Sequence, residues 1–507
     1  MSRTAAAPPN QSSARTLPAL PNAEKYATIV TRFAPNPDFV LHLGSIRAII
    51  LSHDYARMYK GRFLLRFDDT DPRLKKSALE YYDLIREDVR WLECQWDAEY
   101  IASDRVPIYY EHAEKVIRSG DAYICTCTPE DFRLNINSGR ACPDRSKSPE
   151  QNLVAWEKML DGEFGEGDAV LRIKTDLGHP NPAVRDWPAL RIIDPVKYPH
   201  PRVGEKYRVW PLFNFGSAID DHLLSVSHVI RGKEHLTNAL RTEYLYKALG
   251  WEIQEYVHYG RLKTTDIKLS KSLMVKEIEE GLVGGYSDPR LPTLAALRRR
   301  GYVPSALRKI VYEMGPRPVD ATLSWDNVNA TNRKEIDSIA NRYSFIANPI
   351  TMTVSGVDRT YEAHLPLHPE RKDLPGRVSK VVPDNGSASL LISSSDVDLL
   401  KKSKVVRLME LFNVEIKSVE NNDIEAAFHS QDYMKAREVK APLVNWLPGE
   451  NNLIGEVVMP DASRTEGPIE TNIRQEKVGN IIQMVRFGFG RIDAMNDQII
   501  TVYYAHR

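Results

Sequence analysis

Two short motifs carry residue types suited to handling phosphate: H-L-G-S at His42 to Ser45 and K-L-S-K-S at Lys268 to Ser272. In the first, an imidazole, a glycine and the unpaired N–H groups of a starting helix fall side by side, which suits a polyphosphate. The second sets Lys268 and Lys271 in a polar loop, where they would neutralise charge developing on a departing pyrophosphate. Each alone reads as something ordinary, a helix-entry histidine or a solvated loop. Together, in this order, they would grip one nucleotide from two sides.

The elements around the first motif fit that task. Ala27 to Phe33 reads as a buried strand, and the turn A-P-N-P-D then forces the backbone away from helix. Ser45 to Tyr59 carries apolar residues at helical spacing with Gly61 as terminator, and Arg62 to Phe67 reads as a second strand. Strand, turn, helix and strand make a βαβ unit, the start of an α/β, Rossmann-like sheet whose ligand lies off the carboxyl ends of its strands. Helical patterns follow at Ala78 to Leu92 and Pro107 to Arg118. From Cys125 to about Arg202 the text is punctuated by Pro, Gly and Asp. Its one well-marked helix has Ser148 as N-cap, Pro149 at the first position and Gln151 completing a capping box. This stretch is an insertion between the halves of the nucleotide-binding domain, whose alternation resumes from Tyr207 to Leu262. After the lysine loop come helical segments, one capped by Ser324. From about Ile350 short alternating runs such as MTVSGV, SASLLIS, LIGEVVMP and QIITVYY take over and predict β-barrels.

Composition limits the classes. A chain of 507 residues needs several domains. Lys+Arg and Asp+Glu are equal at 68 each, so a nucleic-acid surface must be a local patch and not a global field. The four cysteines, Cys94, Cys125, Cys127 and Cys142, are too few for a disulfide framework and fit a reducing compartment, so a cytoplasmic location is expected. No apolar run suggests a membrane span or a leader, and the Pro, Ser and Ala-rich opening reads as a tail.

The two motifs, in this order and separation, resemble those of class I aminoacyl-tRNA synthetases. The spellings RFAPNP and DDTDP, with Arg231 in HVIRGKEH, resemble the archaeal and eukaryotic branch of the glutamyl-tRNA synthetases. The resemblance implies ATP-dependent activation of glutamate, with Mg²⁺ accompanying the ATP, and transfer to tRNA(Glu). Glutaminyl-tRNA synthetase and a silent tRNA-binding paralogue are the alternatives, and tRNA(Gln) remains an open second substrate. It assigns ATP contacts to His42, Gly44, Ser45, Lys268, Ser270 and Lys271, with His42 and the two lysines catalytic. Ser45 departs from the second histidine of many class I enzymes. Glutamate contacts fall to Arg32, Ala34, Asn36, Asp68, Phe213, Ser217 and Arg231. Arg32 would offer its fork to a carboxylate, Asp68 would accept from the α-ammonium, and Arg231 is the second guanidinium that a substrate with two carboxylates requires. Phe213 stands where a tyrosine is common.

The resemblance also implies an arrangement of domains: a tail over 1–24, catalytic halves over 25–124 and 206–272, and an inserted acceptor-end domain over 125–205. A helical stem-contact region then covers 273–345 and all-β, anticodon-binding barrels cover 346–507, where KVVRLMELFNVEI, PLVNWLPGE, GEVVMPD and VRFGFGRID carry the likeness. Arg298, Arg299 and Arg300, in a basic stretch without acidic residues, are the candidate tRNA contacts. Cys125, Cys127 and Cys142, followed by Asp144 where a Cys or His is normal, resemble a zinc site. Three thiolates and a carboxylate can hold Zn²⁺, and a metal-free remnant is the alternative. A monomer is expected.

Overall fold

Val30–Phe33 (β1) and Arg62–Phe67 (β2) pair in parallel, with Arg32 opposite Leu64, and Ile46–Met58 (α1) is their crossover. All of β1 and nearly all of β2 are buried, as strands covered by helices on both faces must be. The computed structural model describes residues 16–74, 77–265, 269–420 and 423–507. The first helix ends where the sequence puts it but by another device. Lys60 takes the left-handed conformation (φ 54°), and Gly61 is required because a Cβ there would lie 1.9 Å from the Ile29 carbonyl oxygen.

Leu79–Trp91 (α2) leads to Ala98–Ile101 (β3), which pairs in parallel with β2, and Val106–Arg118 (α3) follows. Ala122–Cys125 (β4), Pro129–Asn137 (α4) and Pro149–Asp161 (α5) come next. Then come Val170–Ile173 (β5), Pro188–Ile192 (β6) and Val209–Pro211 (β7). β4 to β7 form a four-stranded antiparallel sheet in sequence order, with β4 and β7 at its two edges. Trp156, Trp187 and Trp210 are almost wholly buried in the core beneath it. The capping box of α5 is present in full.

Phe213–Leu223 (α6), His228–Gly232 (β8), Leu236–Leu249 (α7) and Glu255–Tyr259 (β9) resume the parallel pattern, with Arg231 opposite His258. Ser227 N–H donates to the Val30 carbonyl oxygen and Val30 N–H to Ser227 Oγ, both at 2.9 Å, which sets the β8–β9 pair beside β1. Leu262–Thr264 (β10) and Ala321–Leu323 (β11) form a further parallel pair.

The chain divides into two compact units, Met1–Lys271 with Arg308–Leu323, and Ser272–Leu307 with Ser324–Arg507. The second includes Leu294–Arg300 and the Ser324-capped Trp325–Ile336. It also has a seven-stranded sheet, edge to edge Leu443–Val444, Val405–Leu408, Asn413–Glu420, Asp423–Ser430, Pro349–Ser355, Ser387–Ser393 and Leu447–Pro448. A six-stranded sheet begins at Asn341–Tyr343 and ends at Arg464–Ile469. Both are open half-barrels, which corrects the expectation of closed barrels. Alternation in a sequence reports which face of a strand is buried, not whether the last strand reaches the first. Here the edges of the larger sheet are two residues long, and the hairpin of Tyr361–Leu365 with Arg377–Val381 adds Tyr361, Ala363, Leu365 and Val381 to its core. Among the described residues no helix is long and apolar enough to cross a membrane.

Candidate active site

A cavity of about 540 Å³ opens at the carboxyl ends of the parallel strands, where open α/β sheets bind ligands. β1 contributes Arg32 and, just beyond it, Ala34 and Asn36, β2 is followed by Asp68, and β8 contributes Arg231. Phe213 and Asn214 line it from the start of α6, Tyr259 from the end of β9, and Ala48 from α1. Of the residues expected to hold glutamate, Ser217 alone is outside the lining. It is buried and its Oγ accepts from Arg66 Nη1 at 3.2 Å, in a cluster where Arg66, Arg105 and Tyr109 donate to Asp220. A serine one turn into α6 faces the helix's packing side, and its hydroxyl is engaged there.

Arg231 is 8% exposed, and its Nε and Nη2 have no hydrogen-bond acceptor. Its guanidinium lies 4.8 Å from the centre of the Tyr256 ring. Burial, and after it the repulsion of Arg32, lowers its pKa to about 10. A desolvated cation with two nitrogens lacking acceptors is costly. Arg32 differs. Its Nε and Nη2 donate to the two carboxylate oxygens of Asp221, both at 3.0 Å, so the fork expected to face substrate is closed on α6 and only its Nη1 side remains. The carboxylates of DDTD are divided likewise. Asp69 accepts from Ser103 N–H (2.8 Å), Ser103 Oγ (2.6 Å) and Tyr82 OH (2.6 Å), fixing the turn that leaves Asp68 on the cavity.

Two histidines share the field of Arg231. His235 and His258 are each pushed down to about 4, by burial first and Arg231 second. The His235 ring packs on Phe213 with centres 5.5 Å apart, and its Nδ1 lies 2.9 Å from the Asn238 amide nitrogen.

His42 caps the turn that opens α1. Gly44 N–H donates to its Nδ1 at 3.0 Å, so the neutral ring carries its proton on Nε2, free to donate to phosphate. Burial, then Lys271, holds the ring below its ordinary pKa, which keeps it neutral. Gly44 is demanded by this packing, since a Cβ would come within 2.7 Å of His42 Cε1. Ser45 makes no capping bond. Lys271 pairs with Asp38 of the A-P-N-P-D turn, a carboxylate the sequence reading did not single out. Ser270 immediately precedes it, and Lys268 lies outside the described residues.

The model of the catalytic domain of class I tRNA synthetases for E and Q matches residues 28–338, and that of their anticodon-binding domain matches 340–431. The chain is 50% identical over 495 residues to a glutamate–tRNA ligase of Pyrococcus furiosus, covering 97% of this chain and 84% of that one. A glutamate–tRNA ligase of Methanopyrus kandleri is 44% identical over 487 residues, covering 96% and 84%. The chain belongs to the glutamate–tRNA ligases, archaeal and eukaryotic type. Among solved structures, a glutamate tRNA ligase of Elizabethkingia meningosepticum aligns with TM-score 0.45 and 20% identity over 62% of this chain and 70% of that one.

In this ligase three of the four cysteines converge. Cys125, Cys127 and Cys142 Sγ and a carboxylate oxygen of Asp144 all lie within 4.8 Å of one another. Burial pushes the Cys127 and Cys142 thiols up. The donor set fits a soft, tetrahedral cation, although Asp144 already accepts from Thr126 and Lys147.

Two of the three arginines of Leu294–Arg300 are engaged within their own unit. Arg300 is 2% exposed and donates to the backbone carbonyls of Tyr504 (3.1 Å) and Ala505 (2.8 Å). Arg299 donates from Nε and Nη2 to Asp493 at 2.9 and 2.7 Å and lies over Tyr503. Both tie their helix to the six-stranded sheet, and Arg300 is corrected from an RNA contact to an internal one.

Proposed function

We propose that the strand-end cavity binds glutamate with its side-chain carboxylate on Arg231, its α-ammonium on Asp68 and its α-carboxylate on the free side of Arg32. The observation that carries this is the buried guanidinium of Arg231 with Nε and Nη2 unpaired. Glutamine, with a neutral amide there, would leave that charge uncompensated.

The α-carboxylate oxygen attacks the α-phosphorus of ATP, forming the mixed anhydride and releasing pyrophosphate. His42 donates from Nε2 to the phosphates, and Lys271 follows the charge onto the leaving group, exchanging Asp38 for phosphate oxygen. Mg²⁺, bound with the nucleotide, would supply neutralisation of phosphate charge. The 2′-hydroxyl of the terminal adenosine of tRNA(Glu) then attacks the activated carbonyl and AMP leaves. The matched anticodon-binding domain supports recognition of the tRNA. Zinc, held by Cys125, Cys127 and Cys142 with Asp144 fourth, would cross-link the start of the insertion to the turn at Cys142.

The test is pyrophosphate exchange with cognate tRNA present. Exchange is expected with glutamate and ATP, and exchange driven by glutamine instead would overturn the reading.

A further inference from the structure

Arg47 sits in the first turn of α1, just after H-L-G-S, and is 1% exposed. All its hydrogen bonds go to backbone carbonyls: Nη1 donates to Gly260 (2.6 Å), Nε and Nη2 to Gly315 (3.1 and 2.7 Å), and Nη2 also to Arg317 (3.0 Å). Its guanidinium lies 4.9 Å from the centre of the Tyr259 ring.

These carbonyls belong to two segments distant in sequence. Gly260 precedes β10, which runs toward Lys271, while Gly315 and Arg317 precede β11. The two are stitched together at that point. Gly260 N–H donates to the Arg317 carbonyl and Arg261 N–H to Asp320 Oδ1, both at 2.9 Å, and Leu262 pairs with Ala321. The contact is close enough that a Cβ on Gly260 would lie 2.0 Å from the Val319 carbonyl oxygen. Arg47 therefore clamps this base to the helix whose entry holds His42 and Gly44.

We propose that Arg47 is a positioning residue for glutamate activation, fixing the base of the strand that leads to Lys271 against the helix that begins at His42. The imidazole and the ammonium then converge on the same phosphates without a search. Only a guanidinium suits the task, because a planar fork reaches carbonyls on two segments at once while a lysine ammonium donates from one point.

The test uses the full chain in pyrophosphate exchange with glutamate, ATP and cognate tRNA. Arg47→Lys should lower kcat by about tenfold and Arg47→Met by about a hundredfold, with the glutamate KM within about twofold of the parent. A fall of that kind also follows from general damage, so the deciding readout is a double-mutant cycle with Lys271→Ala. If Arg47 acts through Lys271, Lys271→Ala should cost several-fold less in the Arg47→Lys background than in the parent. Asp320→Ala loosens the same base while keeping the guanidinium and its carbonyl bonds, although it also removes a charge near Arg47 and releases Lys233 and Lys263, and should show the same sub-additivity with a smaller loss. If Arg47→Met fails to fold, Arg47→Lys and Asp320→Ala decide. Additive losses in both cycles, or a glutamate KM that rises as much as kcat falls, would overturn the proposal.

Discussion

Arginine is placed under burial in both units of the chain, with opposite results. At the strand ends Arg231 is buried with two of its nitrogens unpaired, while in the helix Leu294–Arg300 the guanidinium of Arg300 is buried with its donors on two carbonyls. One is an unsatisfied guanidinium and the other is a fastening. Residue type and basic surroundings favoured Leu294–Arg300 as the binding surface, but the partners decide the matter. A guanidinium whose donors are satisfied internally has little left to offer a ligand, and one that is desolvated and unsatisfied stores an electrostatic cost that a matching ligand relieves.

The largest effect should come from breaking the first member of this pair. Arg231→Cys removes the counter-charge of a substrate carboxylate, a loss on the order of 2–5 kcal/mol, or roughly thirtyfold to several thousandfold in kcat/KM for glutamate. Glutamine should lose far less, so the ratio of the two constants moves toward glutamine. Equal losses would mean that Arg231 holds only what the two amino acids share.

The second member should break differently. Arg300→Ala removes the guanidinium bonds to two carbonyls, leaving Ala505 only the long bond from Tyr302 OH (3.5 Å), and should cost about 2–4 kcal/mol of stability, lowering the melting transition of the second unit by roughly 5–10 °C. Its tRNA affinity, measured well below that transition, should stay near the parent's. A normal melt with weakened RNA binding would restore Arg300 as an RNA contact. Arg298→Ala should instead weaken tRNA binding a few-fold and lower the salt slope by about 1. An unchanged slope returns this helix face to solvent.

The same contrast marks what was legible in the sequence. β2 and the α5 capping box are local, and they are found where periodicity and cap chemistry put them. α4 carries the same signal, Thr128 before Pro129 with Thr128 Oγ accepting from Asp131 N–H, and was passed over amid the turn-rich text. Arg32, Asp68 and Arg231 reach one cavity because each lies at or just beyond the end of a parallel strand, which the βαβ pattern and the family resemblance together indicated. Their partners were not legible. Asp220 and Asp221 are adjacent on α6, yet one holds Arg66 of β2 and the other Arg32 of β1; only the tertiary placement of α6 selects which. Asp38 and Arg47 also act across the fold, and Arg300 looked basic and available until its strand was placed beside it.

The smallest effect sharpens the electrostatic side of the comparison. His235 and His258 are pushed down to about 4 in the folded ligase, against about 6.5 in an unfolded chain. Between those values the unfolded state binds more protons than the folded one, so their contribution to stability is present above pH 6.5 and is lost as pH falls toward 4. His42, His112, His200, His222 and His506 are depressed as well and act with the same sign. What separates His235 and His258 is the cause that follows burial, the unpaired charge of Arg231. A glutamate carboxylate on Arg231 would cancel part of that field and raise both values, so saturating glutamate should flatten the loss of stability between pH 7 and pH 5. Unfolding midpoints in urea at pH 5, 6 and 7, with and without glutamate, measure this, and Arg231→Cys without glutamate should show a similar flattening. Parallel pH curves with and without glutamate would mean that the bound carboxylate does not neutralise Arg231, and the proposed placement of glutamate would fall.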